Sequence, residues 1–590
     1  MRAACHYTVK ARHPASHFFQ VTLHIHHPDP QGQLVWLPNW IVGSYMIRDF
    51  ARHIVSLSAR NAQGLFLNVN KVGKNQWLIE PHDGDIRLEY EVYAWDLSVR
   101  GAHLDQKHGY FNGPCLFLAV GGQEKQPVTL HLEQPEGVQD WRVATALKPR
   151  ATLASGFGEY EAPDYAALLD CPVEMGTFDE LSFTAENVPH RMVLTGRHRA
   201  DKSRLARDLE KITSACIRFW GDSAPFSEYL FQVMITANGY GGLEHGNSTS
   251  LLCSRDDLPL AMEPERPGDK YRTFLGLCSH EYFHAWLVKR IKPAVLMEPD
   301  LERENYTPLL WVFEGFTSYY DDLMLARAGV ISPQDYLELL SQQITRYLKM
   351  PGRRVQSVTE SSFDAWTKYY KPDENTPNSV VSYYIKGSLI ALCLDLSLRD
   401  RTHNRVTLDT VMRRLWLDFG KPGVGVEPDS VQHLVESLSG LDWSGDWRDW
   451  LHGTTDLPLK PLLEARGLTV TLKADTGAVG QTCATLGVRG QGAEGGFQIQ
   501  TVWRGSAASM AGLSAGDLII AVDGLKVGSQ LEKVIATYAV GDTLCIHAFR
   551  RDELMQFDVR LQAAPFETCV LTMPADGEGH DRVVQWILDK

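Results

Sequence analysis

The sequence predicts a multidomain α+β protein, because the spacing of its apolar residues changes twice along the chain. Up to about residue 185, apolar and polar residues alternate as they do in half-buried strands. From about 200 to 460, apolar residues recur every three or four positions, the period of a helix with one buried face. After about 465, strand patterns return among many glycines. We therefore predict four domains, at 1–185, 186–330, 331–464 and 465–590.

The β-rich N-terminal domain is predicted from two clear alternations. Val21, Leu23 and Ile25 alternate with polar residues. The stretch from Ile86 to Val92 repeats this pattern, with charged residues between the apolar ones. Because successive side chains of a strand point to opposite faces, each segment would bury one face in a core.

Two helices with defined ends are predicted in the middle of the chain. The first has the stop signal Gly221. Its apolar positions are Leu205, Leu209, Ile212, Cys216 and Phe219. The second begins at Ser332, a favourable N-cap, with Pro333 at the first helical position. These signals indicate that helices dominate this region.

Length and composition exclude several classes of partner. A chain of 590 residues with 44% hydrophobic residues can bury sizeable cores. Its formal net charge of −14 argues against nucleic acid or an anionic membrane surface as the main partner. The sequence contains no uninterrupted run of about 18 apolar residues, so it predicts no membrane-spanning helix. The sequence does not specify an oligomeric state.

The cysteines and the N-terminus predict a cytoplasmic protein. The ten cysteines show no spacing typical of a disulfide framework. The first residues lack the apolar segment of a signal peptide. We therefore expect reduced thiols in a cytoplasmic location.

A His-Glu-x-x-His motif lies at His280, Glu281 and His284. Residues four apart share one face of a helix, so the two imidazoles can bind one metal ion. Glu281 lies about 100° around the helix and can reach a metal-bound water as general base. A chance occurrence is the alternative, but the apolar flanks indicate the buried helix that a dry metal site requires. The motif predicts a hydrolase with one Zn²⁺ per chain.

A catalytic zinc ion takes three protein ligands and keeps a fourth position open. Glu314, in the segment from Trp311 to Thr317, is the candidate third ligand. A long interval with a charged insertion, from Lys289 to Asn305, separates it from His284. The interval does not prevent ligation, since the two segments need only meet in space.

A glycine-rich segment precedes the motif and contains Tyr240, Gly241, Gly242 and Glu244. Glycines let a backbone approach a bound substrate closely, and an edge strand here could pair with a peptide. Glu244 could hold the α-ammonium group of a peptide N-terminus through a charge-assisted hydrogen bond. Tyr240 could narrow the adjoining pocket. The alternative is a glycine turn with an exposed glutamate.

A tyrosine pair, Tyr383 and Tyr384, offers a further catalytic group. A tyrosine hydroxyl can donate a hydrogen bond to the oxyanion of a tetrahedral intermediate. Packing is the alternative role for such a pair.

Together these motifs resemble a known family. The segments Gly241 to His245, His280 to His284 and Trp311 to Thr317 resemble the gluzincin clan of metallopeptidases, and within it the glycyl aminopeptidase family M61 with its C-terminal PDZ domain. The segments Trp40 to His53 and Trp95 to Asp105 are also similar to that family. The resemblance spans essentially the whole chain. It implies a β-rich N-terminal domain, a thermolysin-like zinc catalytic domain, a helical domain and a PDZ domain.

The resemblance also implies roles for individual residues. His280, His284 and Glu314 match the zinc ligands, and Glu281 matches the general base. Glu244 matches the exopeptidase glutamate of the related Gly-x-Met-Glu-Asn motif.

Two positions depart from the related motifs or leave a choice. His245 stands where those relatives have Asn. Tyr384 matches the transition-state tyrosine of the related Tyr-x-Lys-Gly motif, and the adjacent Tyr383 leaves this register open.

The C-terminal domain resembles the bacterial type of PDZ domain. The segment Arg504 to Asp517 carries its helix and turn signature. The backbone N–H groups of Leu486, Gly487 and Val488 would receive a peptide C-terminus. A domain that only stabilises or dimerises the enzyme is the alternative.

The sequence thus predicts a zinc aminopeptidase acting on peptides with a free N-terminus. A preference for N-terminal Gly or Ala is implied by the family resemblance alone. Two alternatives use the same residues differently: a zinc endopeptidase, and a PDZ-based peptide-binding protein with a disused metal site.

Overall fold

The computed structural model describes residues 3–589, which form two compact units. The first unit contains residues 3–305, Ala328–Ile331 and Arg413–Val426. The second contains Tyr306–Arg327, Ser332–Met412 and residues 427–589. The β-rich start, the helical middle and the β-rich end are present as predicted. The four predicted domain boundaries stay predictions.

The N-terminal part of the first unit consists mainly of strands. These are β1 (Cys5–His13), β2 (Phe18–Ile25), β3 (Gln33–Trp36), β4 (Ile54–Asn61), β5 (Phe66–Leu67), β6 (Val69–Lys71), β7 (Gln76–Ile79), β8 (Ile86–Tyr93), β9 (Ala102–Leu104), β10 (His108–Phe111), β11 (Ala119–Val120), β12 (Val128–Glu133), β13 (Arg142–Thr145), β14 (Lys148–Thr152), β15 (Gly158–Ala162) and β16 (Val173–Gly176). Two short helices interrupt them, α1 (Gly113–Leu116) and α2 (Tyr165–Leu169).

These strands form three sheets within the described residues. The largest has the order β14-β15-β12-β1-β2-β8-β4-β5, and the two smaller ones have the orders β13-β16-β10-β9 and β11-β3-β7-β6. Val21, Leu23 and Ile25 of β2 are fully buried in the core, which confirms the predicted alternation. Leu88 and Tyr90 of β8 belong to the same core.

A second sheet system of the first unit carries the glycine-rich segment and the His-Glu-x-x-His motif. Its elements are β17 (Phe178–Ala185), β18 (Val188–Thr195), α3 (Lys202–Trp220), β19 (Tyr229–Thr236), β20 (Gly241–Glu244), β21 (Ser248–Ser254) and α4 (Asp269–Phe283). The strand order is β17-β18-β19-β21-β20, so β20 is an edge strand. The central strands run parallel, and β20 runs antiparallel to β21. Helix α4 packs against β20 and β21.

The predicted helix ends are confirmed. Helix α3 is capped by Asp201, whose side chain accepts hydrogen bonds from two backbone N–H groups, and it stops at Gly221 with a left-handed φ of +68°. Ser332 caps the helix that begins at Pro333, and its side chain and that of Asp335 form a capping box.

Between residues 306 and 466 the chain is helical. The helices are α5 (Leu310–Phe313), α6 (Gly315–Arg327), α7 (Pro333–Leu348), α8 (Val358–Phe363), α9 (Thr376–Ser379), α10 (Tyr383–Arg401), α11 (Leu408–Leu415), α12 (Ser430–Ser439), α13 (Ser444–Trp447) and α14 (Leu459–Ala465). Helix α10 contacts α5, α6, α7, α8 and α14 and is buried along nearly its whole length. A helix that is apolar all round is expected at such a central position.

Helix α10 belongs to a long apolar stretch of the chain. By length and mean hydropathy the helical stretch Thr376–Arg401 could cross a membrane, but 83% of its most apolar window is buried inside the protein. Charged residues such as Lys386 interrupt the apolar run of this stretch, whereas its mean hydropathy stays high in spite of isolated charges.

The C-terminal part of the second unit contains a compact β domain and its flanking elements. They are β22 (Thr469–Lys473), β23 (Ala484–Thr485), β24 (Val488–Ala493), β25 (Gly496–Val502), α15 (Ala507–Ala511), β26 (Leu518–Val522), β27 (Leu525–Lys526), α16 (Leu531–Ile535), β28 (Thr543–Arg550), β29 (Glu553–Arg560), β30 (Gln562–Ala563), β31 (Thr568–Thr572) and α17 (Gly577–Leu588). The main sheet has the order β24-β25-β26-β28-β29. On either side of this domain, β22 pairs with β31, and α17 packs against α6 and α7.

Candidate active site

The His-Glu-x-x-His residues lie at the C-terminal end of α4, here called the motif helix. His280 and Glu281 occupy its last turn, and His284 is its C-cap residue, whose backbone N–H lies 3.2 Å from the carbonyl oxygen of His280. The two imidazole rings stand perpendicular to each other, with their centroids 4.6 Å apart. Glu281 and His284 are buried and His280 is half-buried. The two imidazoles are therefore adjacent, as the helix period predicts.

The turn after the motif helix orients the ring of His284. Nδ1 of His284 lies 2.9 Å from the carbonyl oxygen of Leu287. Because a carbonyl oxygen only accepts, Nδ1 carries the hydrogen and the lone pair lies on Nε2, the arrangement that a metal ligand needs. Within this turn Val288 has φ = +103°, a left-handed conformation that a β-branched residue rarely adopts.

The predicted base, Glu281, packs against the backbone of the edge strand β20. A methyl group on Gly242 would overlap the Glu281 carboxylate. Glycine at position 242 therefore provides space for the base. This close approach is made to the side chain of Glu281, the predicted base, and a close approach to a bound substrate stays a prediction.

Glu244 ends the same strand, and it is 3% exposed. A carboxylate oxygen of Glu244, a carboxylate oxygen of Glu281 and a ring nitrogen of His284 all lie within 4.8 Å of one another. Among residues 3–589, the Oε1 atom of Glu244 has no hydrogen-bond partner. The predicted anchor, base and metal ligand thus form one buried cluster.

Two loop residues of the N-terminal region contact this cluster or the strand β20 beside it, and the sequence pattern indicated neither contact. Gly43, with φ = +97°, packs so closely on the Glu244 carboxylate that a methyl group there would overlap it. Nη2 of Arg100 donates a hydrogen bond to the carbonyl oxygen of Gly242 at 3.0 Å. Residues 100 and 242 are 142 positions apart, so no local spacing could predict the contact.

The remaining residues of the glycine-rich segment lie at its start. Gly241 begins β20, and the preceding Tyr240 has a side chain that is 62% exposed. The prediction of an edge strand at this position is confirmed. A pocket-narrowing role for Tyr240 stays a prediction.

In the second unit, Glu314 lies between the short helix α5 and helix α6, and it is 2% exposed. The next residue, Gly315, packs directly on Gly387 of α10, and a methyl group on Gly315 would overlap the backbone of Gly387. A methyl group on Gly387 would in turn overlap the carbonyl oxygen of Trp311. This close helix contact holds the Glu314 segment beside the first turns of α10.

Tyr384 lies in the first turn of α10, near Glu314. Burial, and then the negative charge of Glu314, raise the pKa of Tyr384 well above its ordinary value, so its hydroxyl keeps its proton at neutral pH. Its oxygen lies 3.3 Å from the hydroxyl of Tyr370, which the sequence did not indicate. Tyr383 is fully buried and stacks on Tyr384, with ring centroids 4.8 Å apart.

Comparison with known proteins identifies three parts of the chain. Residues 6–177 match the peptidase M61 N-terminal domain, residues 273–390 match the M61 glycyl aminopeptidase model, and residues 484–561 match a PDZ domain. A crystal structure described as an aminopeptidase N family protein from Idiomarina loihiensis is 42% identical, with a TM-score of 0.95. The match covers 99% of this chain and 100% of that one.

The chain belongs to the M61 glycyl aminopeptidase family. It is therefore a hydrolase, a metallo-aminopeptidase, with a C-terminal PDZ domain, as the sequence predicts. The roles of the individual site residues stay predictions.

Other solved structures are more distant. An M1 zinc metallopeptidase mutant from Deinococcus radiodurans, bound to a Tyr-Ser-Ala substrate, is 15% identical with a TM-score of 0.47, over 77% of this chain and 94% of that one. Yeast LTA4 hydrolase in complex with bestatin is 13% identical with a TM-score of 0.47, over 77% of this chain and 68% of that one. A comparison with curated proteins finds no match.

Proposed function

We propose that this enzyme is a zinc-dependent aminopeptidase that removes the first residue of peptides with a free α-amine. The observation that carries the proposal is the buried carboxylate of Glu244, whose Oε1 has no hydrogen-bond partner in the described part of the chain. Its neighbours are Glu281 and His284. A buried carboxylate oxygen without a hydrogen-bond partner is costly, so its retention beside a hydrolytic centre favours a cationic ligand.

The charge of the cluster supports the same ligand. Two buried carboxylates, Glu244 and Glu281, have oxygen atoms within 4.8 Å of each other and repel each other when both are ionised. The α-ammonium group of a peptide supplies the positive charge that offsets this repulsion. In a peptide the amine nitrogen and the first carbonyl carbon are about 2.5 Å apart, and the next peptide unit is about 3.8 Å further on. An amine bound at Glu244 therefore presents the first peptide bond to the base.

The metal proposed is zinc, one ion per chain, held by His280, His284 and Glu314. Two imidazoles and one carboxylate are a donor set that zinc takes in catalytic sites. The hydrogen bond from Nδ1 of His284 to Leu287 supports ligation through Nε2. Zinc, when bound, polarises the scissile carbonyl and lowers the pKa of water.

Two side chains carry the remaining steps. Glu281 takes a proton from the attacking water and delivers it to the leaving amine. Tyr384 donates a hydrogen bond to the oxyanion, a role that its raised pKa supports because the hydroxyl stays protonated. The full burial of Tyr383 makes Tyr384 the better candidate of the pair.

A preference for N-terminal Gly or Ala is part of this proposal. The match to the M61 glycyl aminopeptidase model supports this preference. A cytoplasmic location also stays a prediction, consistent with the ten cysteines being unpaired within residues 3–589.

The test compares free and N-acetylated forms of the same Gly-, Ala- and Leu-headed peptides, with and without a chelator and with zinc measured per chain. We expect hydrolysis of the free Gly and Ala peptides, loss of activity on chelation, and little hydrolysis of the acetylated peptides. Equal hydrolysis of free and acetylated peptides would instead indicate the endopeptidase alternative. A chain that binds no zinc and hydrolyses nothing would indicate a disused metal site.

We also propose that the PDZ domain receives a peptide C-terminus. Strand β24 is the edge of its sheet, so its backbone can pair with an added strand. It begins at Val488, the last residue of the Leu486-Gly487-Val488 segment. Gly487 has φ = +72°, and a methyl group there would overlap Ser506, so the loop requires glycine. Fluorescence titration with peptides that have free or amidated C-termini tests this, and equal affinity for both would contradict it.

A further inference from the structure

The residues after Glu244 form a tight turn, here called the Glu244 turn (residues 244–247), which connects β20 to β21. The backbone N–H of His245 lies 2.9 Å from the carbonyl oxygen of Ser248. The side chain of His245 is 2% exposed. The position of Glu244 therefore depends on how this turn is held.

One carboxylate, that of Asp170, contacts the Glu244 turn at two points. Asp170 follows helix α2 in the N-terminal region. Its Oδ2 accepts a hydrogen bond from the backbone N–H of Gly246 at 2.9 Å, and its Oδ1 lies 3.2 Å from Nδ1 of His245. Because the carboxylate is an acceptor, Nδ1 of His245 carries the hydrogen.

The same carboxylate contacts the chain that follows the motif helix. Oδ1 of Asp170 lies 2.6 Å from Nζ of Lys289, whose side chain is 9% exposed. The backbone N–H of Lys289 in turn bonds to the carbonyl oxygen of His284 at 3.0 Å. The next residue, Arg290, donates a hydrogen bond to the carbonyl oxygen of Gly246 at 2.8 Å.

Cationic groups at this junction stabilise the negative charge of Asp170. Burial alone would raise the pKa of Asp170, but Lys289 and His245 outweigh it and hold the pKa well below its usual range. Asp170 is therefore ionised at neutral pH, and its hydrogen-bonded ion pair with the buried side chain of Lys289 favours one geometry. Lys289 begins the charged insertion that the sequence shows before Glu314, so this part of the insertion has a structural role.

We propose that Asp170 is a positioning residue of the exopeptidase site, which ties the Glu244 turn to the segment after the motif helix and so sets where the substrate amine lies. The inference rests on the proposed role of Glu244 as amine anchor. Asp170 is expected to affect where the substrate amine binds, and not the proton transfer made by Glu281.

The test is the variant Asp170→Asn, measured with free and N-acetylated Gly and Ala peptides. The substitution keeps the shape and removes the charge. We expect KM for free peptides to rise about tenfold to a hundredfold, the range for losing a hydrogen bond to a charged group, with kcat changed much less. Zinc content should be unchanged. In a Glu244→Ala background the substitution should have no further effect on kcat/KM, because its influence passes through Glu244.

Asp179→Asn is the matched control, since Asp179 also contacts a lysine and a histidine, Lys202 and His198, at 3.0 and 3.1 Å. It should leave KM unchanged. If Asp170→Asn fails to fold, Lys289→Met serves instead, because it leaves the bonds from Asp170 to the Glu244 turn in place. We expect KM for free peptides to rise in this variant too, but by a smaller factor.

The outcomes separate the two proposals. Equal hydrolysis of free and acetylated peptides by the natural chain would contradict the proposed aminopeptidase function itself. If the natural chain prefers free to acetylated peptides but the Asp170→Asn and Lys289→Met variants keep its KM, the role of Asp170 alone is overturned. An equal fall in kcat in both the natural and the Glu244→Ala backgrounds would also overturn it, since that indicates general damage.

Discussion

The motif helix and the Glu244 turn belong to the same unit, but they are held in place in different ways. In the motif helix, His280, Glu281 and His284 lie within five residues, and the His284 ring is oriented by a carbonyl three residues further on. The Glu244 turn and the strand before it contact Gly43, Arg100 and Asp170, which come from distant parts of the chain. The local element carries the proposed hydrolytic chemistry, and the non-local one carries the proposed choice of peptide bond.

This difference implies that the two properties can be changed separately. Substitutions in the motif helix should lower turnover on every substrate. Substitutions around the Glu244 turn should change which peptides are accepted while the hydrolytic step continues. The predictions below test that separation.

The largest effect is expected for Glu281→Gln. Because the amide cannot accept the proton of the attacking water, kcat should fall by about a hundredfold to ten-thousandfold, the range for general acid–base catalysis. The measurement is kcat on a free Gly or Ala peptide, with zinc content determined on the same sample. Near-natural turnover in a zinc-loaded variant would exclude Glu281 as the base.

A second effect tests a residue outside both regions. Tyr384→Phe should lower kcat by about a hundredfold, as removal of an oxyanion donor does. Tyr383→Phe is its control and should leave kcat within about threefold, because that side chain is fully buried. A larger loss in the Tyr383 variant would reverse the assignment of the two tyrosines.

Two glycine substitutions give the sharpest contrast between the regions. A methyl group at Gly242 would overlap the Glu281 carboxylate, and one at Gly43 would overlap that of Glu244. Overpacking of this kind costs about 1–3 kcal/mol. We therefore expect Gly242→Ala to lower kcat about tenfold or more, and Gly43→Ala to raise KM for free peptides by a similar factor. Identical kinetic changes in both variants would refute the separation.

The smallest effect on activity is expected for His190, which contacts the motif helix and should change the free energy of unfolding at low pH. His190 is fully buried, and its Nε2 lies 2.9 Å from the hydroxyl of Tyr282 on that helix. Burial lowers the pKa of His190 to about 4, against about 6.5 in the unfolded chain. Between these values the unfolded state binds the extra proton, so the free energy of unfolding should fall as the pH drops from 6.5 to 4, by up to about 3 kcal/mol.

The check is chemical denaturation of the natural chain and of His190→Gln across this pH range. Glutamine keeps a hydrogen-bonding side chain without a titrating group, so the variant should lose less stability in acid. The same acid loss in both proteins would show that other groups control it.

The sequence predicted those features that depend on neighbouring residues. Apolar periodicity located β2, β8 and α3 because burial of one face repeats along the chain. The spacing of His280 and His284 predicted two adjacent imidazoles for the same reason. The contacts of Gly43 and Arg100 could not be predicted, since they form only when segments far apart in sequence meet. Tyr370 was missed because nothing around it distinguishes a hydrogen-bonded hydroxyl from a packed ring.

The left-handed backbone at Val288 has a consequence for how the metal site forms during folding. A β-branched residue in such a conformation is disfavoured by about 1–3 kcal/mol, so an unfolded chain seldom visits it. The turn that orients His284 therefore takes its final shape only when the surrounding core has formed and enforces it. We expect an excised peptide with the whole His-Glu-x-x-His motif to bind zinc weakly, and the chain to acquire its metal late in folding.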